Sequence, residues 1–225
     1  MIKTFLVTTL LLMGLVLVGC ASSPSVNKDM TVYKQHMPKS ILVLPPVNDS
    51  PDVKATYSYW PTVVMPVAEA GYYVFPISVV DSMFKENGVT NGHDAQSISP
   101  QKLQEIFGAD AALYIRIKEY GSQYQVIQSV ATVSVDAKLV DLKTNETLWT
   151  GEKKAVQSSN NGNNDLLTSL VGALVEQIAG SVNDRAYPLA TIVNTQLFTP
   201  TQHNPGLGLL YGPRSPKYQQ DGVVK

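Results

Sequence analysis

Apolar and polar residues alternate most regularly in the middle of the chain. Over Asp110–Tyr120, Leu113, Ile115 and Ile117 alternate with Tyr114, Arg116 and Lys118, the period of a half-buried strand. Within Tyr124–Leu142, Val133, Val135, Ala137 and Leu139 face one way and Thr132, Ser134, Asp136 and Lys138 the other. Lys143-Thr144-Asn145-Glu146 reads as a turn in which Asn145 takes the left-handed backbone that suits it. Thr147–Gln157, with Leu148 and Trp149, returns as a third strand. Two antiparallel hairpins result, each with one wet and one dry face.

The first half has a different rhythm. Lys39–Val47 is a short apolar run ended by two prolines, as a buried strand would be. Tyr57–Gly71 has helical spacing through Trp60, Val63, Val64, Val67 and Ala70, and Pro66 implies a kink or a late start. Tyr72–Pro76 is a second strand, so the order strand–helix–strand predicts a right-handed crossover between parallel neighbours. Val79–Glu86 predicts a short helix and Asn91–Ser97 a polar loop. Ser99 and Pro100 then open a helix that Gly108 closes. Beyond the hairpins, Asn164 or Asp165 caps a helix striped by Leu167, Leu170, Val171, Leu174, Ile178 and Val182, and a last helix runs past Pro188 to Phe198. The expected fold is α/β (α+β): a single mixed sheet of about five strands, with a parallel βαβ start and antiparallel hairpins in the middle, flanked by helices.

The N-terminus reads differently again. Lys3 precedes an apolar run from Phe5 to Val18, 14 residues long. A membrane-spanning helix needs roughly 20 such residues. A signal peptide over residues 1–19 is the reading that fits, with cleavage between Gly19 and Cys20. Leu17-Val18-Gly19-Cys20 has the pattern of a lipobox, which makes Cys20 the acylated residue. It is the chain's single cysteine, so acylation leaves no thiol for a disulfide, a metal or nucleophilic catalysis. Residues 20–37, with Ser-Ser-Pro-Ser near their start, then read as a flexible tether of about 55–60 Å at full extension. Residues 38–198 form the expected globular domain, and 199–225 a Gly/Pro-rich tail whose Leu207, Leu209, Leu210 and Tyr211 are candidate docking residues for a partner.

Composition bears on this picture mainly by exclusion. Hydrophobic residues make up 44% and charged ones 16%, enough apolar material for one core. Loss of residues 1–19 removes only Lys3, leaving 16 basic against 18 acidic side chains, which gives no reason to expect nucleic acid. His36, His93 and His203 show no ligand spacing, so neither a metal nor another cofactor is expected. His93-Asp94, the carboxylates Asp136, Asp141 and Glu146, and the glycines between Gly206 and Gly212 each fail as catalytic or phosphate-binding motifs, by position or by missing partners. No enzyme is predicted.

Several segments carry a resemblance. Gly108-Ala109-Asp110 and Val140-Asp141-Leu142-Lys143-Thr144 with Leu148-Trp149 resemble the sheet of periplasmic lipoproteins related to the TolB N-terminal domain, CsgG and the penicillin-binding-protein activators. GYYVFP at 71–76, IFGADAALYI at 106–115 and GLLYGPRSPKY at 208–218 resemble the domain-of-unknown-function-799 family of bacterial lipoproteins. Asn145 departs from the glycine usual in the broader fold, and both residues suit the same turn. In lipoproteins of this kind, Ala21 after the acylated cysteine implies the outer membrane, with the domain facing the periplasm. The resemblance implies a non-catalytic interaction component of a secretion or envelope-assembly complex, its partners other envelope lipoproteins such as a CsgG-like one. The alternative is a regulator of peptidoglycan synthesis resembling the penicillin-binding-protein activators.

Overall fold

The computed structural model describes residues 28–125, 128–158, 185–202 and 204–222. Gly19, Cys20, His203 and the helix expected after Asn164 lie outside the described residues. The fold begins earlier than expected. Helix α1 (Thr31–Gln35) forms inside the stretch read as a tether, with Tyr33 fully buried and Met30 nearly so. One apolar side chain per turn is too sparse to show as a period, yet burying one large aromatic suffices to dock a single turn of helix.

β1 (Ser40–Val43) follows and is fixed at its first residue. The Asp110 carboxylate accepts hydrogen bonds from the backbone N–H of Lys39 at 2.9 Å and of Ser40 at 3.1 Å. The Ser40 Oγ accepts from the Asp110 N–H at 3.0 Å. This reciprocal clamp sets β1 beside the long strand that Asp110 precedes. Pro45 and Pro46 then interrupt the pairing, because neither can donate to a ladder, and a separate short strand β2 (Val47–Asn48) resumes it. That break is why the sheet has six strands and not five.

The helical run after β2 is three consecutive pieces: α2 (Ala55–Tyr59), a 3-10 turn (Trp60–Val63) and α3 (Val64–Glu69). Pro61 opens the turn and Pro66 sits in the first turn of α3, where a missing N–H costs least. β3 (Tyr73–Val74) lies parallel to β1. Then come α4 (Ile77–Glu86), α5 (Gly92–Ser97) and α6 (Pro100–Phe107). The segment expected to be a loop at 91–97 is thus mostly helix. Asn91 caps it by accepting from the Asp94 N–H at 2.9 Å, and only Gly92 and Ala95 are buried, too little to print a pattern. Ser99 caps α6, Pro100 opens it and Gly108, at φ 67°, closes it as expected.

β4 (Ala111–Gln125), β5 (Gln128–Asp141) and β6 (Thr147–Ser158) form the antiparallel part. The sheet order is β3-β1-β4-β5-β6, with β2 beside β4, and β1 and β2 both run parallel to β4. Asn145 takes φ 63° at the β5–β6 turn. Val133, Val135, Ala137 and Leu139 all point into the core. Helix α7 (Ala186–Phe198) packs on that side with Leu189, Val193 and Leu197, and Phe198 lies 5.9 Å from Trp149 between ring centres. Its fully buried Asn194 donates to the Thr62 hydroxyl at 2.7 Å and accepts from the Tyr59 hydroxyl, joining α7 to α2 and the 3-10 turn. The same face therefore holds α2, α3 and α7, and α5 stands on the other.

The tail is part of the core. Leu209 and Leu210 are buried, so neither is available to a partner; Tyr211 is half-buried and Leu207 is 48% exposed. The Gly212 N–H donates to the Ala70 carbonyl at 2.8 Å and the Arg214 N–H to the Gly71 carbonyl at 3.0 Å. A Cβ on Gly212 would meet the Gly71 carbonyl oxygen at 2.6 Å, so only glycine permits this approach. The tail thereby shields the chain just ahead of β3, a two-residue edge strand. Its second anchor is deeper. Tyr72 donates to the Leu210 carbonyl at 2.7 Å, and its hydroxyl lies 2.8 Å from that of Tyr33. Burial pushes both phenols well above their ordinary range, so both stay protonated.

Leu210→Ala is expected to cost about 2–5 kcal/mol in urea denaturation. Deletion of residues 199–225 should abolish the cooperative transition altogether; a truncated protein with the parent's midpoint would show that the tail only lies on the surface.

Candidate functional site

The prolines that break β1 from β2 also make a concavity. β1 is followed by helices on one face of the sheet, leading to β3, and β3 by α4–α6, leading to β4 on β1's other side. Reversal of connection at β1 is the arrangement in which open α/β sheets present a crevice at the carboxyl ends of their strands. Here that crevice encloses about 240 Å³. Pro45, Pro46, Val53, Tyr57, Phe84 and Val89 supply its apolar lining, and Asn48, Thr56, Asp81 and Asn91 its polar points.

Each wall has a local cause. Gln96 of α5 donates to the Pro45 carbonyl at 3.0 Å and to the Ile115 carbonyl at 2.8 Å, pairing acceptors that the proline break leaves without strand partners. Gly92 lies so close to Pro46 that a Cβ there would overlap its carbonyl group. On the opposite wall, Asn48 Oδ1 accepts from Ser50 N–H and hydroxyl at 3.0 and 2.6 Å, while its amide donates to the Asp52 carbonyl at 2.8 Å. The tight loop lifts Val53 to 88% exposure. Tyr57, 52% exposed, donates to Asp81 at 3.3 Å. Lys85 pairs with Asp81 at 2.7 Å and stands 5.0 Å over the Tyr57 ring, contacts that raise its pKa, the Asp81 hydrogen bond foremost. The rim is thus an apolar lip next to a satisfied ion pair, suited to holding an apolar side chain.

A broader trough of about 780 Å³ runs over the sheet face that α5 leaves open. Lys28, Arg116, Lys138, Asp136 and Glu152 are its charged lining, and ion pairs cross this polar face of the sheet. Arg116 pairs with Asp49 at 2.6 Å, Lys118 with Asp136 at 2.6 Å, and Lys154 with Glu119 at 2.6 Å. Lys118 is held above its usual pKa chiefly by the Asp136 hydrogen bond. Lys138 lies 4.8 Å over the Tyr114 ring.

The residues weighed as catalytic are dispersed. Asp136 is in its ion pair. Asp141 is buried and accepts from the Lys143 and Thr144 N–H groups at 2.9 and 2.8 Å, a turn-capping role. Glu146 lies 2.9 Å from His36 Nε2, and Asp141 3.6 Å from His36 Nδ1, a contact with carboxylates that sequence spacing did not show. It fastens α1 to the β5–β6 turn. His93 lies on α5 beside Asp94, whose carboxylate is bonded to Asn91 and not to the imidazole. Gly206, at φ 93°, gives its carbonyl to Trp149 Nε1 at 3.1 Å, in a core contact and not a phosphate loop. Among the described residues, no group of three or more His, Cys, Asp or Glu side chains is placed to hold a metal ion. Among the described residues, no helix is long and apolar enough to cross a membrane.

Comparison with known proteins identifies the lineage. The family model described as "Putative lipoprotein GNA1162-like" matches residues 28–214, which is nearly all of the described fold. The chain belongs to this family. A GNA1162-like relative, the lipoprotein NMB1124/NMB1162 of Neisseria meningitidis serogroup B, is 46% identical over 208 residues, covering 91% of this chain and 95% of its own. The crystal structure of lipoprotein GNA1162 from Neisseria meningitidis is 51% identical with a TM-score of 0.54, covering 64% of this chain and all of that one. A GNA1162-like protein is a lipoprotein, attached to a membrane through lipid. The signature segments that suggested a lipoprotein family fall on the tail clasp and the β1–β4 clamp, which are structural.

Gln96→Leu should strand two carbonyls and cost about 1–3 kcal/mol. Lys118→Met, at an exposed and solvent-screened pair, should lower the melting temperature much less. Thermal denaturation of both variants checks the contrast; equal losses would mean that Gln96 does not hold the crevice wall.

Proposed function

We propose that this protein is a non-catalytic lipoprotein of the outer membrane, acylated at Cys20 and facing the periplasm, that docks another envelope lipoprotein in a secretion or envelope-assembly complex. The observation that carries the reading is the crevice at the carboxyl end of β1, with Val53 and Tyr57 exposed at its lip. Large apolar side chains held in the open beside a preformed concavity are what a binding surface requires. The docking segment first expected in the tail moves here, since Leu209 and Leu210 are committed to the core. Leu207 and Tyr211 remain at the surface, away from this crevice.

The early start of the fold also bears on the alternative. Only residues 21–27 separate Cys20 from the first described residue, Lys28. Eight steps of roughly 3.3–3.6 Å reach about 26–29 Å, half of what a tether to residue 37 would give. A regulator that works on an enzyme across the cell wall needs a longer reach, which favours a partner near the same membrane.

A photo-crosslinking residue at position 53 in intact cells should capture an envelope lipoprotein, and Tyr57→Ala should reduce the adduct several-fold. Capture from position 53 that Tyr57→Ala leaves unchanged, or none at all, would count against this crevice. Stimulation of a peptidoglycan synthase by the purified protein would favour the alternative instead.

A further inference from the structure

The same short connection from Cys20 restricts which side of the molecule meets the bilayer. A domain of this size has a radius of gyration of about 16 Å, hence a diameter of about 40 Å. The connection of about 26–29 Å cannot pass round such a body. Whatever surrounds Lys28 must therefore lie towards the lipid.

On one side of Lys28 its ammonium donates to the Thr150 carbonyl at 2.7 Å; on the other lies a continuous face. Gly206 abuts Lys28 and Met30, since a Cβ on it would come within 3.0 Å of Lys28 Cβ and 2.7 Å of Met30 Sδ. Leu207, exposed at 48%, follows directly. Lys28, Lys34, Pro205 and Gly222 line a groove of about 430 Å³ in this face. Lys217 stands 5.5 Å over the Tyr211 ring, and the Tyr211 N–H is bonded to Asp221 at 3.1 Å. Two carboxylates share this face, and the exposed Asp29 offsets part of its positive charge. Asp221 is 8% exposed, and Asp29 accepts from the Thr31 N–H at 2.9 Å. Tyr33 and Leu210 meet Tyr72 where β3 begins, and Lys28 and Gly206 reach the β6 edge of the sheet at Thr150 and Trp149. The crevice lies at the end where β1 stops.

We infer that the face formed by α1 and residues 205–221 rests on the phospholipid surface, with Leu207 entering the headgroup layer and Lys34 and Lys217 meeting lipid phosphates. This orientation rests on acylation at Cys20, as proposed above. It turns the crevice away from the membrane, towards a partner. An apolar side chain flanked by lysines is the chemistry of an interfacial contact, and the connection length supplies the proximity.

The test uses the acylated full-length protein reconstituted in vesicles of phosphatidylethanolamine and phosphatidylglycerol. Because acylation occupies Cys20, Leu207→Cys or Val53→Cys adds a single thiol that takes a fluorophore. Nitroxide at the lipid headgroups should quench the label at 207 several-fold more than the label at 53. Lys34→Glu with Lys217→Glu should reduce quenching at 207 by at least half without changing vesicle flotation. Flotation with equal quenching at 207 and 53 would overturn the orientation alone, and unchanged quenching in the double variant would overturn the role of the lysines. Failure to float would overturn acylation at Cys20 and the orientation with it.

Discussion

Much of this fold depends on one buried contact, the three-way meeting of Tyr33, Tyr72 and the Leu210 carbonyl. These groups come from opposite ends of the chain and from the lead-in to an edge strand. Two phenols and a carbonyl removed from water would each carry a desolvation cost if left unpaired. Together they satisfy one another, and the apolar surface around them is gained without that cost. The tail is thereby drawn onto the Gly71 region, and α1 onto the tail. The His36–Glu146 contact and the Trp149–Gly206 hydrogen bond attach the same two segments to the far side of the sheet.

This closure explains what could be read in the chain and what could not. β4, β5 and β6 were legible because parts of each, such as Ile115–Lys118 and Val135–Leu139, turn alternate residues to core and solvent, though Tyr114 and Ser134 on the expected wet face are buried. The caps of α6 were legible for a local reason: Ser99, Pro100 and Gly108 act within one turn of where they sit. The tail was opaque because its glycines report close approach to Ala70, Gly71 and Thr199, which no local pattern reveals. Glycine and proline looked like absence of structure where they permit contact. α1 and α5 failed for lack of repetition, being only a turn or so long with few buried residues.

The candidate site was legible only in outline. Pro45-Pro46 was visible as the end of a strand, but Tyr57 looked like an ordinary residue at the start of a helix and Val53 fell outside the expected elements. Their significance comes from the loop that lifts them and from α5, which a polar composition concealed. Conversely, the apolar tail attracted attention that its burial does not justify, with Leu207 the exception. Membership of the GNA1162-like family makes the protein a lipid-anchored one. The geometry adds a crevice at the carboxyl end of β1 and a tail packed into the core.

Both ends of the described fold, α1 and residues 205–222, pack onto one core. Native-state hydrogen exchange of the full-length protein tests this most directly. The amides of Leu209, Gly212 and Arg214 should open only with global unfolding, at the same free energy as Ile115 and Val135 in the sheet. Exchange of those tail amides at rates near those of an unfolded chain, while the sheet stays protected, would contradict it.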